Sequence, residues 1–182
     1  VAVHQPLKIY SGGLGFLAGS HLRSAYELKQ NLVGVGILWK YGYYDQERHQ
    51  DQTLDVAWNE KQYSFLEDTG LKFQINVHEH PVWVKVFYLN PETFKSAPLF
   101  LLSTDTPEND SQTITHRLYD ANVATKVAQY ILLGVGGAKL MDVLGFKPEL
   151  YHLNEAHGLS AAFYLYSNFN RKIEEVKKRL VF

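Results

Sequence analysis

The chain contains no cysteine, which excludes disulfides, thiolate nucleophiles and thiolate metal sites and is compatible with a reducing cytoplasm. It lacks an excess of either charge. Lys and Arg number 18 against 19 Asp and Glu, a net charge of −1, so no field is strong enough to imply nucleic acid or an anionic membrane surface as partner. No run approaches the roughly 18 apolar residues of a membrane span, and the first residues lack the basic and apolar regions of a signal peptide. These absences predict a cytoplasmic protein with neither nucleic-acid nor membrane partners. Gly-x-Ser-x-Gly is missing, which removes the nucleophile elbow. No two His four apart frame a Glu, so neither zincin pattern is present and no metal is expected. The chain does not begin with methionine, as expected of a processed chain or a piece of a longer one.

What is present is an ordinary globular composition, 46% hydrophobic and 20% charged over 182 residues, enough for one domain with a sizeable core. The most distinctive stretch is Tyr10-Ser11-Gly12-Gly13-Leu14-Gly15. It follows a short extended run at residues 7–9, read as the tail of a strand, and opens a helical pattern over 16–30. A glycine-rich turn feeding a helix N-terminus suits an anion, because the backbone can approach closely and unpaired N–H groups face it. Gly13-x-Gly15-x-x-Ala18 also meets a dinucleotide fingerprint, but no acidic residue follows about 20 positions on to hold a ribose. A tight turn without ligand is the competing reading.

The apolar run 32–39 predicts a strand buried on both faces. Residues 41–55 read as an irregular excursion, 71–77 and 81–89 as two strands with Glu79 near their turn, 98–102 as another strand, and 104–110 as a loop. Ser111 is placed as the cap of a short helix reaching Tyr119, and 122–144 as a long buried helix ended by Gly145. Residues 150–153 predict a short strand, 155–168 a helix, 171–179 a surface helix and 180–182 the start of a further buried strand. The alternation predicts an α/β fold, a Rossmann-like, mainly parallel sheet flanked by helices with an antiparallel insertion. Ligands of such sheets sit beyond the carboxyl ends of the strands. Both the glycine turn and Asn154-Glu155-Ala156-His157 fall there, so two distant turns are expected to share one rim.

Other candidate groups have simpler explanations. His78-Glu79-His80 reads as a solvated strand edge, and Asp105 with Asp110 as loop-forming Asx turns rather than a hydrolytic carboxylate pair. His21, His49 and His116 are isolated. In the aromatic group Trp39, Tyr41, Tyr43 and Tyr44, Trp39 is assigned to the core, and Tyr43 and Tyr44 to ligand contact.

Taken together, Leu7 through Gly19, Val33-Gly34-Val35-Gly36-Ile37-Leu38-Trp39 with Tyr41-Gly42-Tyr43, Leu101-Leu102-Ser103-Thr104-Asp105, Gln129 with Leu132-Leu133-Gly134-Val135-Gly136-Gly137, and Tyr151-His152-Leu153-Asn154-Glu155-Ala156-His157 resemble the α-glucan (glycogen, starch and maltodextrin) phosphorylases. Order and spacing agree across nearly the whole chain. The resemblance implies a two-lobed, GT-B type glycosyltransferase, with residues 1–182 a single partial domain from the N-terminal lobe and the C-terminal catalytic lobe absent. It implies phosphorolysis of α-1,4-glucan by inorganic phosphate to α-glucose 1-phosphate, with configuration retained. Pyridoxal phosphate is the implied cofactor, its phosphate an acid–base partner and its attachment lysine outside this chain.

By the same resemblance Gly12, Gly13, Leu14 and Gly15 form the loop facing phosphate and the glucosyl unit. Asp120 and Asn122 belong to a substrate gate, while Asn154, Glu155, His157 and Tyr43 line the substrate rim. The chain departs from the family in having Asn122-Val123 for an Asp-Asn pair, Ser20 for an aspartate, Tyr130 for a glutamate, and Ala156 and Gly158 around His157. These departures imply a divergent branch with altered substrate contacts. No catalytic set is complete in the chain, which is expected to be inactive alone and to bind no pyridoxal phosphate covalently. Two alternatives are a nucleotide-sugar glucosyltransferase of the glycogen or starch synthase type, whose glycine loop is similar, and a non-catalytic glucan-binding lobe. An unfinished sheet would favour homo-oligomers.

Overall fold

The computed structural model describes residues 1–110 and 113–181. In chain order its main elements are α1 (Gly12–Glu27), β1 (Gly34–Ile37), β2 (Asp45–Arg48), β3 (Leu54–Ala57), β4 (Glu67–Val77), β5 (His80–Leu89), α2 (Pro91–Phe94) and β6 (Leu99–Ser103). There follow α3 (Val123–Ile131), a π-helical turn (Leu132–Gly136), α4 (Gly137–Val143), β7 (Tyr151–His152), α5 (Ala161–Asn168), α6 (Ile173–Lys177) and β8 (Leu180–Val181). The expected α/β class is observed. The helix cap assigned to Ser111 lies outside the described residues.

The main sheet has the order β1-β6-β5-β4. It is mixed: the expected antiparallel insertion is observed in β4 and β5, while the sheet is not mainly parallel. β1 and β6 are parallel, from Gly34 opposite Leu99 to Ile37 opposite Leu102, whereas β5 is antiparallel to both β4 and β6. The cause is the connections. β4 and β5 are joined by a tight turn in which His78 and Glu79 take φ of 49° and 66°, the left-handed pair that suits hairpin twist. Between β5 and β6 lies only the short α2, too little chain for a crossover. β7 and β8 form a separate parallel pair, Tyr151 opposite Leu180.

β1 and β6 are covered on both faces, as their unbroken apolar runs predict. On one face Leu22 of α1 packs against Gly34, and the Ala97 N–H donates to the Leu22 carbonyl at 2.8 Å. On the other, Val35 meets Gly137, and Leu102 and Ile75 meet Gly136. Leu99, Leu101, Leu102, Val84, Val86, Leu132 and Leu140 are fully buried between these layers. Burying each such side chain is worth about 1.5–3 kcal/mol. Since the C-terminal half of α1 lies at the starts of β1 and β6, the helix runs against them. Its N-terminus therefore points towards their carboxyl ends.

Three further expectations are corrected. Residues 7–9 join no sheet; Leu7 and Ile9 are buried as irregular chain, and the Ile9 N–H donates to the Leu7 carbonyl. The excursion at 41–55 holds β2 and the start of β3, a hairpin with Asp45 opposite Ala57 through Arg48 opposite Leu54, whose mostly exposed side chains hide the strand signal. Residues 155–168 are not one helix. A 3₁₀ turn at Ala156–Gly158 precedes α5, and Glu155, with φ 68° and ψ −174°, stands ahead of both as non-helical chain. The predicted helix 122–144 is observed, with the π turn in its middle.

Candidate functional site

The glycine motif is not a turn ahead of a helix. It is the first turn of α1, following Ser11 at the N-cap in extended conformation. Its glycines differ in what requires them. Gly12 has φ +70°, a left-handed conformation that glycine adopts without steric cost. Gly15 is packed, since a Cβ there would lie 2.7 Å from Tyr10 Cβ. Gly13 has neither constraint: its φ is ordinary and nothing lies within 4 Å of a Cβ position. That opening leaves the backbone approachable from outside. The Ser11 side chain makes no capping hydrogen bond and the first turn holds no acidic residue, so the positive end of the helix dipole keeps no internal counter-charge there.

Asn154 is brought to this turn from 140 residues away: its Nδ2 lies 3.5 Å from the Leu14 carbonyl, a weak contact but a direct juxtaposition. The two turns are thus neighbours in the structure. His21 of α1 and His152 of β7 lie beside each other, ring centroids 5.2 Å apart. The Asn154 loop is held from below by α3 and the π turn. His157 stands edge-on to Tyr130 at 5.2 Å, and Ser160 Oγ donates to the Tyr130 carbonyl at 2.7 Å. At Gly134 the loop comes so close that a Cβ would lie 2.1 Å from Ser160 Oγ and 2.6 Å from the Ala161 nitrogen. Glu155, in a backbone region almost reserved for glycine, stores about 1–3 kcal/mol of strain between Asn154 and His157.

Asp120, Asn122 and Tyr43 form a second group. Asp120 Oδ1 accepts from the Asn122 N–H at 2.8 Å, and Asn122 Oδ1 accepts from the Thr125 N–H at 3.1 Å, so both polar side chains stabilise the entry to α3. Tyr119, with φ 59°, meets Tyr43 edge-on at 6.0 Å, and Tyr43 packs on Tyr44 at 4.4 Å. Asn122 caps α3 and Tyr130 lies in its last turn, so one helix links this group to the Tyr130–His157 pair. Asn122 and Tyr130 are separated by about 12 Å along its axis.

Beyond β1 the chain continues beside residues 115–118. Lys40 N–H donates to the Thr115 carbonyl and Tyr41 N–H to that of His116, each at 2.9 Å. Buried Gln129 of α3 pins this segment, donating to the Ile114 and Arg117 carbonyls at 2.9 and 3.1 Å. Lys40 also pairs with Asp105 at 3.0 Å, and that bond raises the lysine pKa. Asp105 is thus engaged structurally.

A cavity of about 450 Å³ opens here, lined by Tyr41, Trp58, Thr113, His116, Arg117 and Asp120. The Arg117 guanidinium lies 4.4 Å from the Trp58 ring centre, and Tyr41 meets His116 edge-on at 5.4 Å. His116 Nε2 is buried without a hydrogen-bond partner among the described residues, and burial lowers the pKa of the ring. Sequence reading set His116 aside as isolated and passed over Trp58 and Arg117. Trp58 directly follows β3, whose mostly exposed residues give no burial pattern that singles it out.

Among the described residues no group of three or more His, Asp or Glu is placed to hold a metal ion, and no helix is long and apolar enough to cross a membrane.

No family model matches the chain. It is similar to an uncharacterized protein of Methanocaldococcus jannaschii, 48% identical over all of this chain and 35% of the relative. It is also similar to a maltodextrin phosphorylase of Thermococcus litoralis, 36% identical over 88% of this chain and 20% of the relative. A glycogen phosphorylase of Aquifex aeolicus is 33% identical over 99% of this chain and 28% of the relative. The chain thus spans 20–35% of the length of these curated relatives. Likeness of 33–36% over most of its residues supports a divergent relation of this chain to the maltodextrin and glycogen phosphorylases.

Proposed function

We propose that this chain is part of the first lobe of a two-lobed, GT-B type α-glucan phosphorylase, which cleaves α-1,4-glucan with inorganic phosphate to give α-glucose 1-phosphate. The observation that supports this best is Gly13. It is open to approach at an uncapped helix N-terminus, with Asn154 against the same turn. Backbone N–H groups fixed in that direction suit the negative charge of phosphate and stabilise charge developing as a glycosidic bond breaks. Glu155 and His157, on the loop held against α3, are then positioned to bind glucan hydroxyls, and Asp120, Asn122 and Tyr43 border the entry.

The same turn fits the phosphate of pyridoxal phosphate in chemistry, being an anion cradle without a competing carboxylate. When bound, that cofactor supplies a phosphate able to exchange a proton with the substrate phosphate. Its attachment lysine and the remaining catalytic groups belong to polypeptide outside residues 1–182, so these residues alone neither form the covalent cofactor link nor turn over glucan. A cytoplasmic location accompanies this reading.

The test uses the full polypeptide, assayed for glucose 1-phosphate from maltodextrin and phosphate. Gly13→Val is expected to fold normally, because the position is empty, and to abolish turnover. A fully active Gly13→Val removes the turn from the mechanism, and no glucose 1-phosphate from the parent protein removes the reading itself.

A further inference from the structure

The cavity lined by Tyr41, Trp58, Thr113, His116, Arg117 and Asp120 is separate from the glycine turn and from the Asn154–His157 loop. Three observations bear on what it takes. The first is its surface chemistry: flat aromatic rings beside both a cation, Arg117, and an anion, Asp120. Opposite charges on one wall disfavour a ligand of either net sign and favour a neutral one with both donors and acceptors. The second is the orphaned His116 Nε2. A buried polar nitrogen without a partner is costly, and a hydroxyl, which can donate or accept, satisfies either tautomer. The third is continuity. Trp58 meets Tyr44 edge-on at 6.5 Å, Tyr44 packs on Tyr43, and Tyr43 meets Tyr119, so an aromatic track leads from the cavity to the Tyr119–Asn122 segment.

From these we infer that the cavity is an accessory sugar subsite, which holds one ring of a neutral oligosaccharide against the aromatic wall with hydroxyls on His116, Arg117 and Asp120. About 450 Å³ is within the range of small-ligand sites. The identification of the sugar as a unit of an α-glucan chain, held away from the reacting end, rests on the phosphorylase reading. Gln129 is a positioning residue for this subsite, because it holds the backbone of residues 114 and 117.

The experiment is a titration of the full polypeptide with maltopentaose, followed by tryptophan emission and independently by saturation-transfer NMR. Of the three tryptophans of this chain, Trp39 is buried in the core and Trp83 lies in β5 outside the cavity lining, so Trp58→Phe identifies the reporting indole. The emission change is expected to vanish in Trp58→Phe, while Arg117→Ala, at an exposed side chain, weakens binding about tenfold, equivalent to about 1.4 kcal/mol. His116→Phe removes the orphaned nitrogen and tests the hydroxyl contact without opening the wall; it is expected to weaken binding similarly. No maltopentaose binding, or affinity unchanged in both Arg117→Ala and His116→Phe, overturns the subsite. Failure of the phosphorylase reading looks different: binding that depends on these residues with no glucose 1-phosphate formed. The converse, phosphorolysis with binding indifferent to them, defeats the subsite alone.

Discussion

Gly134→Ala is a severe single-methyl perturbation beside the Asn154–His157 loop. The added methyl would sit 2.1 Å from Ser160 Oγ, 2.6 Å from the Ala161 nitrogen and 2.7 Å from the Gly158 carbonyl oxygen. The serine hydroxyl can rotate away, but two of the three atoms are backbone. The segment entering α5 must therefore retreat by roughly 1 Å to restore ordinary contact. Overpacking of this kind costs about 1–3 kcal/mol. Moving Ser160 also weakens its 2.7 Å bond to the Tyr130 carbonyl, worth about 0.5–1.5 kcal/mol. The expected loss is about 3 kcal/mol, which for a domain of this size lowers Tm by roughly 6–12 °C. Because the retreating segment carries the 155–158 turn, amide exchange at those residues should accelerate more than exchange in β5 and β6. Gly137→Ala is the control three residues on. There a Cβ finds Val35 Cγ1 at 3.4 Å, ordinary contact, and replacing a helical glycine is expected to raise stability by about 0.5–1 kcal/mol. Urea or thermal unfolding of the two variants side by side decides the matter. If Gly134→Ala is as stable as Gly137→Ala, the close approach of the π turn to the start of α5 described above is wrong.

Asn122→Ala is expected to cost about 1 kcal/mol in urea unfolding through loss of the α3 cap, and Asn122→Asp to cost little; equal stability of Asn122→Ala and the parent would deny the cap. Glu155→Gly relieves the backbone strain and, after the flexibility glycine adds to the unfolded chain, is expected to gain about 1 kcal/mol, whereas Glu155→Ala gains nothing. A Glu155→Gly protein less stable than the parent would show that the backbone there is unstrained. Glu108 is held by Lys72 and Thr106, which lower its pKa to about 2. A carboxylate depressed in the folded state stabilises above its unfolded pKa and loses that contribution as pH falls. The Tm difference between the parent and Glu108→Gln should therefore be constant above about pH 5 and shrink between about pH 4.5 and 2; a difference that grows over that interval contradicts the assignment.

Much of the architecture is legible without coordinates because it is written in local chemistry. The period of residues 122–144, the apolar run at 32–39 and Gly145 at a helix end each constrain only their own neighbours, and each is observed. The β2–β3 hairpin is not legible. Its residues are mostly exposed, so no burial pattern distinguishes them from loop. The mixed order of the sheet escapes for a related reason: β1 and β6 read alike whether their neighbours run parallel or antiparallel, and only the short connection through α2 decides.

The candidate site divides in the same way. Sequence alone determines a helix next to the glycine motif, the phosphorylase-like order of segments and the residue types on the predicted rim; that the glycines are themselves its first turn is decided by the structure. It does not separate Gly13, open to the outside, from Gly15, packed on Tyr10, since both are glycine and only their surroundings differ. Tertiary structure decides that Asn154 reaches Leu14 across 140 residues. It likewise decides that Gln129 fixes the 114–117 segment, and that Trp58, His116 and Arg117 meet around one cavity. Such contacts depend on where independent elements cross, and no local pattern encodes a crossing point.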